Sequence, residues 1–177
     1  MKNKNILLGV SGSIAAYKAC DLILALQEDG FLVSVIMTKE AREFITPLTL
    51  QAISKSKVYL DMFEPQVDFN AEHIQLSKKA QLILIAPATA NIIGKLANGI
   101  YDDLLTCVVA ATKAKIVIAP AMNENMYNNR VVQANIKKLE NLGAIFIGPR
   151  RGRLACGDIG LGCLALVEDI VKEIKAL

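Results

Sequence analysis

The 177-residue sequence predicts a doubly wound parallel α/β sheet, in which helices cover both faces of a central sheet. Two observations support this prediction. Short runs of four to six residues, apolar on both faces, alternate with longer segments whose apolar residues recur every three or four positions. Two of the helical segments end in a glycine cap, at Gly30 and Gly143, and a further apolar run follows each cap. In such a sheet, ligands are expected beyond the carboxyl ends of the strands.

The alternating segments give the order of the predicted elements. The predicted strands cover residues 6–10, 32–37, 82–86, 116–119 and 144–147. The predicted helices cover residues 14–28, 91–97, 103–112 and 130–141. Two segments follow neither pattern: residues 60–72 are irregular and acidic, and residues 148–162 hold five of the eleven glycines and three arginines. We expect residues 148–162 to form a functional loop, because loops of that length are uncommon in compact domains.

Composition and charge limit the classes of function. We predict one domain over residues 1–177 with a substantial core, because 53% of the residues are hydrophobic. The net charge of +3 is too small and too scattered for a nucleic-acid-binding protein. The first thirteen residues do not resemble a signal peptide, and no apolar run reaches the ~18 residues of a membrane span. We therefore expect a cytoplasmic protein that binds neither nucleic acid nor membrane.

The cysteines and the single histidine exclude two kinds of site. Cys20, Cys107, Cys156 and Cys163 are too few for a disulfide framework and too widely spaced for a zinc knuckle. One histidine, His73, excludes any site that needs two, so we predict no metal. A lone histidine is more often structural than catalytic, and a cysteine in an apolar chain usually packs in the core. From the residues alone, both kinds of role stay open.

The first predicted strand runs into a turn rich in glycine and serine. Gly12 and Ser13 lie where the strand meets the next helix, so free backbone N–H groups and hydroxyls there would suit a phosphate. The segment is neither a Walker A loop nor a GxGxxG motif, and an ordinary tight turn with Ser13 as the N-cap explains it equally well. Lys18, about one turn into the helix, is either a solvated lysine or a second anion contact.

Two later strands end in similar turns. Both turns contain the sequence Ile-Ala-Pro-Ala. The first continues through Thr89 and Asn91, and the second through Met122 and Asn123. Each could be only a loop, since proline at a strand end stops the hydrogen-bond ladder. Three strand ends that carry small, hydroxyl or amide residues at the predicted ligand edge favour one shared crevice instead.

Several motifs, in order along the chain, resemble those of a known family. They are GSIAAYK at 12–18, EHIQLS at 72–77, PATAN at 87–91 with NGIYDDLL at 98–105, PAMNENMY at 120–127 and LACGDIGLG at 154–162. Over essentially its whole length the sequence resembles the flavin-dependent cysteine decarboxylases, specifically the phosphopantothenoylcysteine decarboxylases. The resemblance implies a flavodoxin-like, Rossmann-like fold with three αβα layers that binds FMN. It also implies a homo-oligomer, either a trimer or a dodecamer built from trimers.

The resemblance also implies a reaction. This is the FMN-dependent decarboxylation of 4′-phospho-N-pantothenoylcysteine to 4′-phosphopantetheine, a step of coenzyme A synthesis, through thioaldehyde and enethiolate intermediates. A cysteine amide has no electron sink for the loss of CO2, so the flavin has to supply one. The phosphopantothenoylcysteine synthetase is then expected to be a separate chain and the pathway partner.

Motif matching gives the implied site residues. His73 would be the active-site acid or base, Asn123 would hold the substrate carboxylate or its amide, and Cys156 would donate the proton during enethiolate reduction. The implied FMN contacts are Gly12, Ser13, Thr38, Thr89, Ala90, Asn91 and Ala121. The implied substrate contacts are Lys18, Met122, Asn123, Arg153, Ala155 and Gly157.

Three functions are alternatives to the phosphopantothenoylcysteine decarboxylase reaction. A peptidyl-cysteine decarboxylase of lantibiotic maturation stops at the enethiol and needs no proton donor for a reduction, so Cys156 disfavours it. A non-catalytic flavin-binding regulatory protein has no need of His73, Asn123 and Cys156 together. A flavin prenyltransferase does not suit the PAMN and ACGD segments. Two positions depart from the family pattern: Tyr127 replaces a common tryptophan, and Cys163 replaces a common arginine.

Overall fold

Six parallel strands form a central sheet in the computed structural model, which describes residues 4–63 and 72–177. The strands are β1 (Asn5–Val10), β2 (Leu32–Met37), β3 (Val58–Tyr59), β4 (Leu82–Ala88), β5 (Lys115–Pro120) and β6 (Ile145–Phe146). Their order across the sheet is β3-β2-β1-β4-β5-β6. The chain moves outward in one direction from β1 to β3 and in the other from β4 to β6. The point between β1 and β4 is therefore the switch point at which doubly wound sheets bind ligands.

Helices cover both faces of this sheet. They are α1 (Ala19–Glu28), α2 (Pro47–Ser54), α3 (Glu72–Lys79), α4 (Ala90–Asn98), α5 (Leu104–Ala111), α6 (Glu124–Tyr127), α7 (Arg130–Asn141) and α8 (Val167–Ala176), with 3-10 turns at Ile14–Lys18 and Lys39–Glu43. One hydrophobic cluster contains residues of α1, α2 and α8, and a second contains residues of α3, α4, α5 and α7. This arrangement confirms the predicted three-layer α/β class. In residues 4–63 and 72–177, no helix combines the length and the apolar composition needed to cross a membrane.

The residues of β1 and β4 show why the sheet is buried on both faces. Ile6 and Leu8 belong to the cluster with α1 and α8, whereas Leu7 between them belongs to the cluster with α4 and α5. Leu84 and Ile85 of β4 divide between the two clusters in the same way. Successive side chains of a strand face opposite sides, so a sheet covered on both faces needs apolar residues at every position. The continuous apolar runs in the sequence follow from this.

The segment 148–162 is mostly an antiparallel hairpin and not the irregular loop that we expected. Its strands are β7 (Arg150–Arg153) and β8 (Ile159–Cys163), and Gly152 lies opposite Gly160. Backbone hydrogen bonds join the two strands, and the side chains along them follow no apolar period. The sequence pattern therefore did not indicate this hairpin. Gly157, at the tip of the hairpin, has a φ of +98°, a left-handed conformation that favours glycine.

Other differences lie at the ends of elements and in segments without a strong period. The helix predicted over residues 14–28 is a 3-10 turn followed by α1. The prolines expected after β4 and β5 lie inside these strands, and the β4–β5 pairing shifts register between Ile85 and Ala88. The prediction omitted β3, α2, α3, α6 and α8. Of the segment 60–72, residues 64–71 lie outside the described part of the chain, and Glu72 begins α3.

Truncation of Ile83 tests the contribution of β4 to the core. Ile83 is fully buried, on a strand between β1 and β5. Ile83→Ala should therefore lower the free energy of unfolding by about 2–5 kcal/mol, through lost burial and the cavity left behind. Urea denaturation followed by circular dichroism measures the change. Leu48→Ala, at a position that is 74% exposed on α2, is the matched control and should change it by less than about 0.5 kcal/mol. Equal losses in the two variants would contradict the core position of Ile83.

Candidate active site

A cavity of about 790 Å³ lies at the carboxyl edge of the sheet. Its wall is built from the turns that follow β1, β2, β4 and β5, together with the β7–β8 hairpin. The turns after β1 and β4 place it at the switch point of the sheet. Cavities of this volume hold cofactors and other small-molecule ligands, so the cavity is the candidate active site.

Side-chain hydrogen bonds join three of these turns. The Ser11 hydroxyl donates to the Pro87 carbonyl at 2.7 Å, and the Thr89 amide donates to the Ser11 hydroxyl oxygen at 3.0 Å. The Ser13 hydroxyl donates to the Ala121 carbonyl at 3.3 Å. Both serines are buried, and buried hydroxyls are costly unless they are paired. These bonds confirm the prediction that three strand ends share one crevice.

The same turns also begin two helical segments. Ser13 is the N-cap of the 3-10 turn before α1, and Thr89 is the N-cap of α4. Ala90 and Asn91 form the first turn of α4, where backbone N–H groups have no partner inside the helix. Because a helix N-terminus carries partial positive charge, this side of the cavity suits an anionic group.

Thr38 contributes an unpartnered polar atom to the cavity wall. It follows β2, and its buried hydroxyl oxygen has no hydrogen-bond partner within the described ranges. A buried hydroxyl without a partner is destabilising unless a ligand bonds it. Gly12, on the neighbouring turn, has no room for a side chain, because a Cβ there would collide with the side chain of Glu40. Glycine therefore permits the close approach of the turns after β1 and β2.

The β7–β8 hairpin brings a thiol to an amide at one side of the cavity. The Met122 amide donates to the Gly162 carbonyl at 3.0 Å, which joins the hairpin to the segment after β5. Nδ2 of Asn123 donates to Sγ of Cys156 at 3.9 Å. The Cys156 thiol in turn donates to Oδ2 of Asp158 at 3.5 Å. Asn123 and Cys156 both line the cavity and are exposed, so a ligand can reach both groups at once.

The charged side chains of the cavity wall are positive on balance. Lys18, Arg150 and Arg153 line it, against the carboxylates of Glu40 and Asp103. Nε of Arg150 is buried and has no hydrogen-bond partner in the described part of the chain. A ligand with phosphate or carboxylate groups would therefore meet complementary charge.

Lys95 offsets the charge of one of these carboxylates. Its Nζ lies 3.0 Å from Oδ2 of Asp103 and 2.7 Å from Oδ1 of Asp102. Burial lowers the pKa of Lys95, but hydrogen bonds with the two carboxylates outweigh burial and raise the pKa above its usual value. The hydrogen bond from Lys95 is also the main reason why the pKa of Asp102 is lowered. Asp103 therefore faces the cavity as one member of an ion-pair network.

The four thiols occupy different surroundings. Burial raises the pKa of the Cys20 and Cys107 thiols, and neighbouring carboxylates add to the effect. Neither of them lines the cavity, whereas Cys156 and Cys163 both do. Of these two, Cys156 is exposed and Cys163 is half-buried. Among the residues that the structure describes, no group of three His, Cys, Asp or Glu side chains could hold a metal ion.

The structure brings most of the predicted site residues together. The cavity wall includes Gly12, Ser13, Lys18, Thr38, Thr89, Ala90, Asn91, Ala121, Met122, Asn123, Arg153, Ala155 and Cys156. It does not include Gly157, which lies at the hairpin tip, or His73, which is half-buried near the start of α3. The functional roles assigned to all of these residues stay predictions.

Sequence reasoning missed part of the wall. Ile14, Tyr17, Glu40 and Asp103 line the cavity but were not predicted to do so. A signal existed for Glu40, because it follows β2 at the ligand edge just as Thr38 does. Ile14 and Tyr17 lie in a helical pattern, where apolar residues usually indicate packing, so nothing distinguished them.

Two curated relatives are similar to this chain. The coenzyme A biosynthesis bifunctional protein CoaBC of Bacillus subtilis (strain 168) is 51% identical over 172 residues, which are 97% of this chain and 42% of that protein. The probable phosphopantothenoylcysteine decarboxylase of Streptococcus mutans is 46% identical over 177 residues, which are 97% of each chain. The chain thus spans about two fifths of the bifunctional relative and nearly all of the other.

Several solved structures share the fold, among them these two. A PPC decarboxylase variant complexed with pantothenoylaminoethenethiol has a TM-score of 0.90 and 33% identity, covering 99% of this chain and 98% of that one. The FMN binding protein AtHal3 has a TM-score of 0.86 and 34% identity, covering 99% and 96%. A family model described as Flavoprotein matches residues 1–177. With the whole length matched, the chain belongs to the Flavoprotein family.

Proposed function

We propose that the chain is an FMN-dependent decarboxylase that acts in the cytoplasm and converts 4′-phospho-N-pantothenoylcysteine to 4′-phosphopantetheine in coenzyme A synthesis. The proposal rests on one observation, the meeting of the Cys156 thiol and the Asn123 amide in the cavity. The names of the two curated relatives support this substrate. The proposed pathway partner is the phosphopantothenoylcysteine synthetase, which makes the substrate.

The cavity fits FMN through features of its wall. The Thr38 hydroxyl has no partner among the described residues, and the first turn of α4 offers N–H groups to an anion. The residues proposed to hold FMN are Gly12, Ser13, Thr38, Thr89, Ala90, Asn91 and Ala121, all on the wall. When bound, FMN supplies an acceptor and donor of hydride, which no side chain of the protein provides. The FMN-binding neighbour of the same fold supports this choice of cofactor.

Positive side chains are proposed to attract the substrate, which carries a phosphate and a carboxylate. Lys18 and Arg153 line the cavity on the turn after β1 and on the hairpin. Their charges favour an anionic ligand and steer it toward the cavity. The other proposed substrate contacts are Met122, Asn123, Ala155 and Gly157, of which all but Gly157 lie on the wall.

Asn123 and Cys156 are proposed to act directly on the substrate. Oδ1 of Asn123 accepts a hydrogen bond from the Asn125 amide at 2.8 Å, so Nδ2 is the group that faces the cavity and can hold a carboxylate or amide oxygen. The Cys156 thiol donates to Oδ2 of Asp158 at 3.5 Å. It would give this proton to the enethiolate, whose reduction to the thiol also needs the hydride that FMN would supply. Because the hairpin is exposed, water can return a proton to the sulfur.

His73 is proposed to act in the cavity of a second copy of the chain, within a homotrimer or a dodecamer built from trimers. The side chain does not line the cavity of its own chain. If it is the acid or base, it has to come from another copy. Large apolar residues that are at least two thirds exposed, including Val131 and Leu142, offer surface for contacts between copies.

Replacement of Thr38 tests the FMN contact. Thr38→Val keeps the shape of the side chain and removes the unpartnered hydroxyl, so FMN should bind roughly 3- to 10-fold more weakly. The flavin-free variant should be no less stable than the parent, because no protein hydrogen bond is lost. FMN fluorescence titration and thermal melting measure the two effects. Thr49→Val, at an exposed position of α2, should leave FMN affinity unchanged. Parent protein that stays colourless after reconstitution with FMN would overturn the proposed function.

Replacement of Cys156 tests the proton donor. Cys156→Ser should still release CO2 from 4′-phospho-N-pantothenoylcysteine but should accumulate the unsaturated thiol, because a serine hydroxyl is a far weaker acid than a thiol. Product mass spectrometry distinguishes this compound from 4′-phosphopantetheine. Cys20→Ser, a half-buried thiol of α1 away from the cavity, should give the normal product. A fully active Cys156→Ser protein would remove the thiol from the mechanism, and CO2 release only from a peptidyl cysteine would favour the alternative decarboxylase.

Co-expression of two inactive variants tests the origin of His73. His73→Gln and Cys156→Ser should each fail to form 4′-phosphopantetheine when expressed alone. In mixed oligomers, about a quarter to a third of the sites should regain both native residues if these come from different copies, since one site of each mixed trimer combines them. The measurement is product formation by assemblies purified through a different affinity tag on each variant. Mixed assemblies without activity would show that both groups act within one chain, and a fully active His73→Gln protein would remove the histidine from the reaction.

A further inference from the structure

The hairpin that carries Cys156 is not part of the central sheet. Its two strands pair only with each other in the described residues. A two-stranded hairpin is marginally stable in water, so its position depends on what it packs against. The contacts of β8 are with the segment after β5: the Met122 amide bonds the Gly162 carbonyl, and α6 packs against β8. The position of the Cys156 thiol therefore depends on this junction.

The side chain of Glu124, the first residue of α6, bonds the backbone of β8, as a neighbouring strand could. Its Oε1 accepts a hydrogen bond from the Leu161 amide at 2.9 Å. The Glu124 residue is half-buried, and a hydrogen bond to an ionised carboxylate is stronger than one between neutral groups. Together with the Met122–Gly162 bond, it pairs backbone groups of two consecutive residues of β8. The carboxylate thus gives the Leu161 amide a partner that no further strand supplies in the described residues.

The glycines of β8 leave the space that this contact needs. A Cβ at Gly160 would lie 2.7 Å from Cδ of Glu124, which is too close for the carboxylate to stay where it is. A Cβ at Gly162 would collide with the Met122 carbonyl. Gly160 has no positive φ, so its lack of a side chain here serves the approach of the carboxylate and not a special backbone conformation.

We propose that Glu124 is a positioning residue, whose carboxylate fixes β8 and thereby sets the distance between the Cys156 thiol and the Asn123 amide. This inference rests on the proposed function. Glu124 follows Asn123 directly, so one short helix presents the amide that meets the thiol and the carboxylate that anchors the hairpin. Loss of the anchor should affect the proton transfer by Cys156 more than the loss of CO2, which does not need the thiol.

Variants of the FMN-loaded protein at Glu124, with a control on α8, test the proposal. In Glu124→Ala, amide hydrogen exchange in a peptide spanning residues 154–163 should be roughly tenfold faster or more, because a charge-assisted bond is lost. The share of unsaturated thiol among the products should rise, while the rate of CO2 release changes less. Glu124→Gln, which keeps an acceptor oxygen, should restore most of both properties. Glu173→Ala, at an exposed position of α8, should match the parent.

Gly160→Ala supplies the complementary half of the test. Its methyl group should displace the Glu124 carboxylate and reproduce the faster exchange and the altered products. In the double variant Glu124→Ala/Gly160→Ala, the added methyl should have little further effect, because the group that it displaces is already gone. Independent, additive effects of the two changes would overturn the proposal, and so would unchanged exchange in Glu124→Ala.

Hydrogen exchange and product analysis distinguish a failure of this proposal from a failure of the proposed function. If the parent protein does not decarboxylate 4′-phospho-N-pantothenoylcysteine, the proposed function fails, and the exchange data still decide whether Glu124 anchors the hairpin. If the parent forms 4′-phosphopantetheine and Glu124→Ala forms it at the same rate with no unsaturated thiol, the positioning role fails alone.

Discussion

The site depends first on the Ser11 hydroxyl, which joins the two halves of the sheet where their order reverses. Ser11 follows β1, and its hydroxyl is both donor to the Pro87 carbonyl and acceptor from the Thr89 amide after β4. Parallel strands bring their carboxyl ends to one edge, but nothing in that topology fixes the spacing of the turns beyond them. A buried hydroxyl that uses both its donor and its acceptor capacity fixes that spacing, because displacement of either turn would leave polar groups unpaired. The N-cap of α4 and the wall beside it follow from this bond.

The cavity wall combines the turns that Ser11 joins with the β7–β8 hairpin, which lies outside the central sheet. The turns continue directly from strands of the central sheet, whereas the hairpin pairs with no strand of that sheet in the described residues and bonds the wall through Met122 and Glu124. Local opening is easiest where few buried contacts hold a segment. Under the proposed function, a thiol carried by such a segment can approach and leave a bound ligand without disturbing the core. This division is consistent with the proposed chemistry, in which Cys156 is needed only after CO2 has left.

The sequence predicted the sheet well where burial imposed a period on the apolar residues, and poorly where backbone hydrogen bonds alone decided the structure. β2 and α7 have the predicted bounds, since continuous apolar residues and a helical period with a glycine cap leave few alternatives. In α8, the spacing of Ile170, Val171 and Ile174 is a helical apolar pattern that the prediction missed. β3 has only two residues, so it is too short to show any period. Most of the wall followed from the strand-end turns and the family resemblance. The position of His73 outside the wall did not, because the motif match assigns a role without a place in the fold, and α3 was not among the predicted helices.

The surroundings of the four thiols explain why one of them suits proton transfer. Burial and nearby carboxylates disfavour the thiolate at Cys20 and Cys107, so these side chains act as small apolar residues. Cys163 lines the cavity, but its Sγ–H donates to the Arg153 carbonyl at 3.3 Å within the hairpin. Cys156 alone combines exposure, a place on the wall and contacts with side chains that a ligand can displace. A proton donor has to exchange its partner for the substrate, and a thiol bonded to the weakly held Asp158 carboxylate at 3.5 Å can do so at lower cost than one bonded to a strand carbonyl.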